Sequence, residues 1–231
     1  PLWATLLFFA LGVLTIGLTH RDAWRVVLRT PGLWMLALAT GVTNAAFNWG
    51  VATGEVVRVV LLFYLMPLWA VGLAWWLLGE RVTAWAAVRV LLALGGALLV
   101  LSPADGGWPR FNGLADWLGL IGGVGFAFIN VMLRRAAHHN SAERALAMFS
   151  GGVCLPALAG LVLSAQGLVP GWPAFDWGWA LLAAAMGVAF FAANLAMQYG
   201  ASQIPVHITS VVMLTEIVFA AGSAVWFGGE T

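Results

Sequence analysis

Apolar residues run along this chain in long blocks, and polar residues gather in short gaps between them. Eight blocks approach the roughly 20 residues a helix needs to cross about 30 Å of hydrocarbon. They are 2–18, 32–52, 56–78, 84–101, 114–133, 145–165, 177–199 and 206–227. Within lipid every backbone amide must find its partner inside the protein, so each block is expected to be a helix. The gaps at 20–31, 53–55, 79–83, 102–112, 134–143, 166–176 and 201–205 carry the breakers and most charges, and none is long enough for a soluble domain. The pattern predicts an all-α, polytopic membrane helix bundle.

One stretch occurs twice. Shifted by 150 residues without a gap, 44–80 lies on 194–230 with ten of the 37 positions identical, among them Asn44/Asn194, Trp76/Trp226 and Glu80/Glu230. Matches among Ala and Val are cheap in an apolar chain, but Asn, Trp and Gly-Glu matches in one register signal a repeat. The third block (56–78) and the eighth (206–227) are mates five spans apart. An odd separation reverses direction across the membrane, so the halves are expected to be inverted, as in secondary transporters whose site lies near the midplane. The expected units are 1–102 and 113–231. If each has five helices, one helix would precede Pro1 and one would follow Thr231.

Composition sharpens this picture. Hydrophobic residues make up 62% and charged residues 8%, far from the roughly 25% charged residues of soluble domains. Ten basic and nine acidic residues nearly cancel, so no nucleic-acid partner is expected, and the single Cys154 cannot form an internal disulfide. Alternating sides gather Arg21, Arg25, Arg29, Arg81, Arg134, Arg135 and Arg144 on one face and leave Arg58 and Arg110 on the other. By the positive-inside rule the first face is cytoplasmic, which implies a multi-pass protein of the cell (inner) membrane.

Residues 59–80, VVLLFYLMPLWAVGLAWWLLGE, resemble the Pro-containing fourth helix and closing Gly-Glu of the EamA-type transporters in the drug/metabolite transporter superfamily. Residues 89–101 resemble the Gly-Gly fifth helix of that repeat, and 118–135 the opening helix of the second. The resemblance implies ten helices and transport of small metabolites, among them amino acids and drugs. The halves differ in one place: where the first has Pro67, the second has Ile217 preceded by Glu216.

Polar side chains at membrane depth tend to face the bundle interior or a cavity. Thr40, Asn44 and Asn48 fall at i, i+4, i+8 on one helix face, and the repeat mate offers Asn194 and Gln198. These carboxamides are expected to line a shared substrate cavity, against the plainer reading that they only bind neighbouring helices together. Asn130 and Tyr64 are further candidates; Gly119, Gly122, Gly123 and Gly125 are expected to serve close helix packing. Arg58 is read either as a clamp for a substrate carboxylate or as an i, i+3 partner of Glu55, with Thr53 as the cap. His138, His139 and Glu143 lack metal-ligand spacing, and no metal or cofactor is expected.

Glu216 stands ten residues into the last block, with no basic residue within two turns on its own helix. A carboxylate at that depth is costly, so it is expected to be protonated or paired, and to couple transport to a proton. The expected function is proton-coupled secondary transport, with export the expected direction, of a small metabolite such as an amino acid or drug-like compound, by alternating access. No Walker loop implies ATP. An intramembrane enzyme is the alternative, weakened because Cys154 and the buried hydroxyls have no nearby His in sequence. A channel or scaffold would leave the inverted repeat and the buried acid unexplained.

Overall fold

The computed structural model describes residues 2–79, 84–101, 111 and 113–203, and every regular element among them is an α-helix. In chain order these are α1 (Leu2–Thr19), α2 (Arg21–Arg29), α3 (Pro31–Thr53), α4 (Val56–Phe63), α5 (Met66–Leu78), α6 (Ala84–Leu101), α7 (Leu114–Arg135), α8 (Ser141–Ala165) and α9 (Trp177–Gln203). Seven of the eight apolar blocks fall on them; 206–227 lies outside the described residues. By length and composition five described segments can each cross a bilayer, and α2 with α3, bent by 97°, adds a sixth. The chain is a multi-pass membrane protein.

Two elements depart from the sequence pattern. The gap at 20–31 holds a helix, α2, which sets Ala23 and Val27 inward and Arg21, Arg25 and Arg29 outward. Pro31 ends it: Thr30, just before the proline, is extended (φ −110°, ψ 104°), and Pro31 opens α3 in the first turn where its missing N–H is harmless. The third span is interrupted at Tyr64–Leu65, between α4 and α5. Pro67 has no N–H to offer the Phe63 carbonyl four residues back, so the ladder breaks there. Farther on, Gly79 closes α5 in the left-handed conformation (φ 66°) that glycine adopts without strain.

Helix α3 packs along α7 and α8, α1 along α8 and α9, and α4 and α5 along α7. Leu33, Leu36, Ile129, Met132, Leu146 and Phe149 form the core between them. Glycine sets the approach. A methyl on Gly151 of α8 would overlap the Ala37 carbonyl of α3. One on Gly119 would stand 2.8 Å from the Val59 carbonyl, and one on Gly123 would stand 2.5 Å from that of Phe63. Small residues at helix crossings are what packing without a hydrophobic drive requires. The outside is apolar, with Trp75, Trp76, Trp85, Leu91, Leu181 and Leu182 exposed, as suits a surface solvated by lipid.

The contacts between the halves come in exchanged pairs. Phe9 of α1 fills the space beside Gly152 of α8, while Phe149 of α8 fills the space beside Gly12 of α1. A shift of 140 residues turns the first contact into the second. Likewise Ala37 of α3 meets Gly151 of α8, and Gly187 of α9 meets Leu11 of α1. Shifting α3 by 150 and α8 by −140 interconverts these two. Phe9 beside Gly152 and Trp3 beside Gly160 show that α1 and α8 run antiparallel. An exchange of contacts between antiparallel helices is the pattern that inverted halves would give.

Gly151→Ala places a methyl on a backbone carbonyl, and overpacking of this kind costs about 1–3 kcal/mol. The variant should melt several degrees below wild type in detergent. Gly72 has nothing within 4 Å of an added methyl. Gly72→Ala should melt at or above wild type, since alanine is favoured in helices by about 0.5–1 kcal/mol. Equal melting of Gly151→Ala and wild type would contradict this packing.

Candidate functional site

The carboxamides of α3 occupy the stripe that runs Ala37, Gly41, Asn44, Asn48, spaced by three and four residues. At its start the stripe meets α8, since Gly41 abuts the Gly151 carbonyl and Leu155; Asn44 and Asn48 continue it and are half-buried. Asn44 Nδ2 donates to the Thr40 carbonyl (2.8 Å), Asn48 Nδ2 to that of Asn44 (2.9 Å), and Thr40 Oγ1 to that of Leu36 (2.8 Å). Asn194 of α9 repeats the bond, donating to the Phe190 carbonyl at 3.1 Å. Asn130 of α7 donates to the Phe126 carbonyl at 3.0 Å and is exposed.

In each Asn the amide nitrogen faces a carbonyl, which the side-chain oxygen could not do without repulsion. That fixes the flip and leaves Oδ1 as the outward acceptor. A row of such acceptors suits a ligand rich in donors, an ammonium group above all. Asn44 and Asn48 are brought together in this row. Asn194 stands on α9, which packs on α1, and its hydrogen bond stays within that helix. The Gln198 side chain and all of Glu216 lie outside the described residues.

Arg58 is held differently from either expectation. From the first turn of α4 its Nε donates to both carboxylate oxygens of Asp116, at 2.8 and 2.9 Å. Asp116 belongs to the first turn of α7, where a carboxylate also complements the helix dipole. Both side chains are withdrawn from solvent, Asp116 to 3% exposure and Arg58 to 13%. The pair ties α4 to α7. Thr53 does not cap α4: its Oγ1 donates back to the Trp49 carbonyl of α3 at 2.8 Å. Asp116 went unrecognised as a partner because nothing in a 58-residue separation points to it.

Tyr64 sits at the α4–α5 break, its ring edge-on to Phe63 at 5.9 Å. Beside the break, α7 presents Gly119, Gly122 and Gly123 to Val59 and Phe63. The Thr43 hydroxyl, which the sequence pattern did not single out, is buried against Gly125 with no hydrogen-bond partner among the described residues. At the other end of α7, His139 Nδ1 lies 2.9 Å from Glu143 Oε2. That carboxylate also accepts from the Asn140 backbone and side chain in a capping box that starts α8. Among the described residues no group of three His, Cys, Asp or Glu is placed to hold a metal. Cys154 is exposed on α8, a helix without histidine.

Removing one member of a buried ion pair leaves the other uncompensated and costs about 3–5 kcal/mol. Asp116→Asn and Arg58→Gln should each lower the melting temperature strongly. The double variant Arg58→Met with Asp116→Leu should recover part of that loss. Strictly additive losses in this cycle would show that the two side chains are not coupled.

Nothing among curated proteins or solved structures matches this chain. Residues 2–102, from α1 through α6, match the EamA-like transporter family. Over 2–102, less than half of its length, the chain is thus similar to the EamA-like transporter family.

Proposed function

We propose that the chain is a secondary active transporter of a small metabolite, an amino acid or amine-bearing drug-like compound, working by alternating access of two inverted halves. The observation that carries this reading is the exchanged pair Phe9–Gly152 and Phe149–Gly12. Two halves that meet through equivalent contacts can tilt either way about one axis and keep the same packing. Such tilting opens a midplane site to one side and then to the other.

In this reading Asn44, Asn48, Asn194 and Gln198 bind the substrate, their Oδ1 and Oε1 atoms accepting from its ammonium group. Asn130 and Tyr64 complete the lining, Tyr64 at the point where the broken span frees its backbone. Arg58 receives the substrate carboxylate by exchange with Asp116. The arginine-rich gaps face the cytoplasm of the cell membrane, and transport runs outward. Glu216 carries the proton: its repeat mate is Met66, so one half has a titratable group that the other lacks. Exposure to each side in turn lets it load and release that proton.

Purified protein in liposomes, supplied with labelled amino acids and amines, should accumulate its substrate when a pH gradient is imposed. Asn44→Ala and Asn194→Ala should each raise the half-saturating concentration about tenfold, as loss of a hydrogen bond to a charged ligand of about 1.5 kcal/mol implies. Glu216→Gln should abolish gradient-driven accumulation yet preserve substrate–substrate exchange. Undiminished accumulation by Glu216→Gln would make that residue structural, and product formation without flux would make the protein an enzyme.

A further inference from the structure

The arginine-rich gaps of the two halves meet at one end of the bundle. There an open cleft of about 340 Å³ separates the start of α3 from the end of α7, with Thr30, Gly32 and Met35 on one wall and Arg135, His138 and His139 on the other. Arg135 makes no ion pair or hydrogen bond with any described residue, so its guanidinium has five donors to offer. The exposed His138 ring rests against that of His139 at 4.2 Å. Gly32 precedes the first bonds of α3, which run from Leu33 and Trp34 to the Thr30 carbonyl. A methyl on Gly32 would meet nothing within 4 Å. Glu143, the carboxylate on this side of α8, is already occupied by His139 and its capping box.

The surroundings add two features. Trp34 and Leu38, 57% exposed, and Met35, 42% exposed, put an apolar surface on α3 beside the cleft. Helix α2 leaves α3 at 97° with Arg21, Arg25 and Arg29 exposed. If α3 alone crosses the membrane, α2 lies along its surface, as amphipathic basic helices do. Cations, an open helix start and an adjoining hydrocarbon surface are the ingredients of a phosphate site at the bilayer edge.

We infer that this cleft binds a phosphate group through Arg135, His138 and the Gly32 amide. The phosphate comes either from the headgroup of an anionic phospholipid, whose chains lie along Met35 and Leu38, or from a free phosphate ion. The site is separate from the proposed substrate path and does not depend on it.

The test uses the full chain in two arms. In the first, delipidated protein is offered an equal mixture of phosphatidylglycerol and phosphatidylcholine, and retained lipid is read by native mass spectrometry. Wild type should prefer phosphatidylglycerol, and Arg135→Gln should lower that preference about fivefold, the share of one surface arginine. Gly32→Asp, which has room for its side chain and suits a helix start, should lower it at least as far by repulsion. In the second arm, inorganic phosphate at constant ionic strength is titrated against melting temperature. Variant-sensitive lipid preference assigns the headgroup, and variant-sensitive stabilisation by phosphate assigns the free ion. If both variants melt like wild type and neither response changes, the inference is overturned.

Discussion

Backbone approach at glycine is the constraint on which the rest of the structure depends. Inside hydrocarbon a leucine gains nothing by turning from lipid to protein, so helices associate only where they pack closely enough to gain dispersion and satisfy polar groups. On α7, Gly119 and Gly123 admit the carbonyls of Val59 and Phe63. That approach sets the height of α4 on α7, and with it two further features. One turn before Gly119 stands Asp116, level with Arg58, so the ion pair closes at 2.8 Å. At Gly123 lies Phe63, so the break caused by Pro67 is held against a surface without side chains. Bulk at either glycine would move the pair and the break together.

The exchanged contacts also bear on how two inverted halves, as proposed, would stay in register despite unequal length. Phe9 and Gly12 map onto Phe149 and Gly152 at a shift of 140, whereas Asn44 maps onto Asn194 at 150. The connection from the first crossing to the second is thus ten residues longer in the second half. The longer run of α8 to Ala165 and the earlier start of α9 at Trp177 take up the difference, since the stretches before α3 and α9, 20–30 and 166–176, are equally long. Insertions of this kind are absorbed outside the crossings, where no carbonyl has to meet a glycine.

The helices were legible in the sequence because their signal is long and local: some twenty apolar residues admit little else in lipid. The helix α2 was legible too, in the spacing of Arg21, Arg25 and Arg29 opposite Ala23 and Val27, but a gap between spans does not invite a search for periodicity. Pro67 was visible within the third span, but the break three residues before it was not read from the sequence, which took 56–78 as one span. The Asn stripes could be read, since periodicity alone puts Asn44 and Asn48 on one face; that each amide is tied to its own helix could not. The Arg58–Asp116 pair and the Phe–Gly exchange are tertiary facts. Glu55 was the closer acid in sequence, and two matched positions at a second shift do not rise above the background of an apolar chain.

Comparing the halves separates what the frame needs from what each side adds. The carboxamide row is kept, with Asn44 and Asn48 answered by Asn194 and Gln198, and so is the glycine-rich close of the following helix. The arginine of the ion pair is not kept: Ile208 stands at the place of Arg58. Nor is the proline kept: Ile217 stands at the place of Pro67. Groups that must serve the same ligand from both sides have reason to be duplicated. In the proposed mechanism a group that holds one end shut has no such reason, since two equal locks would leave neither orientation preferred. On that reading the buried Arg58–Asp116 pair would bias the frame toward the state that keeps it intact, and a ligand that opened that end would have to offset its loss.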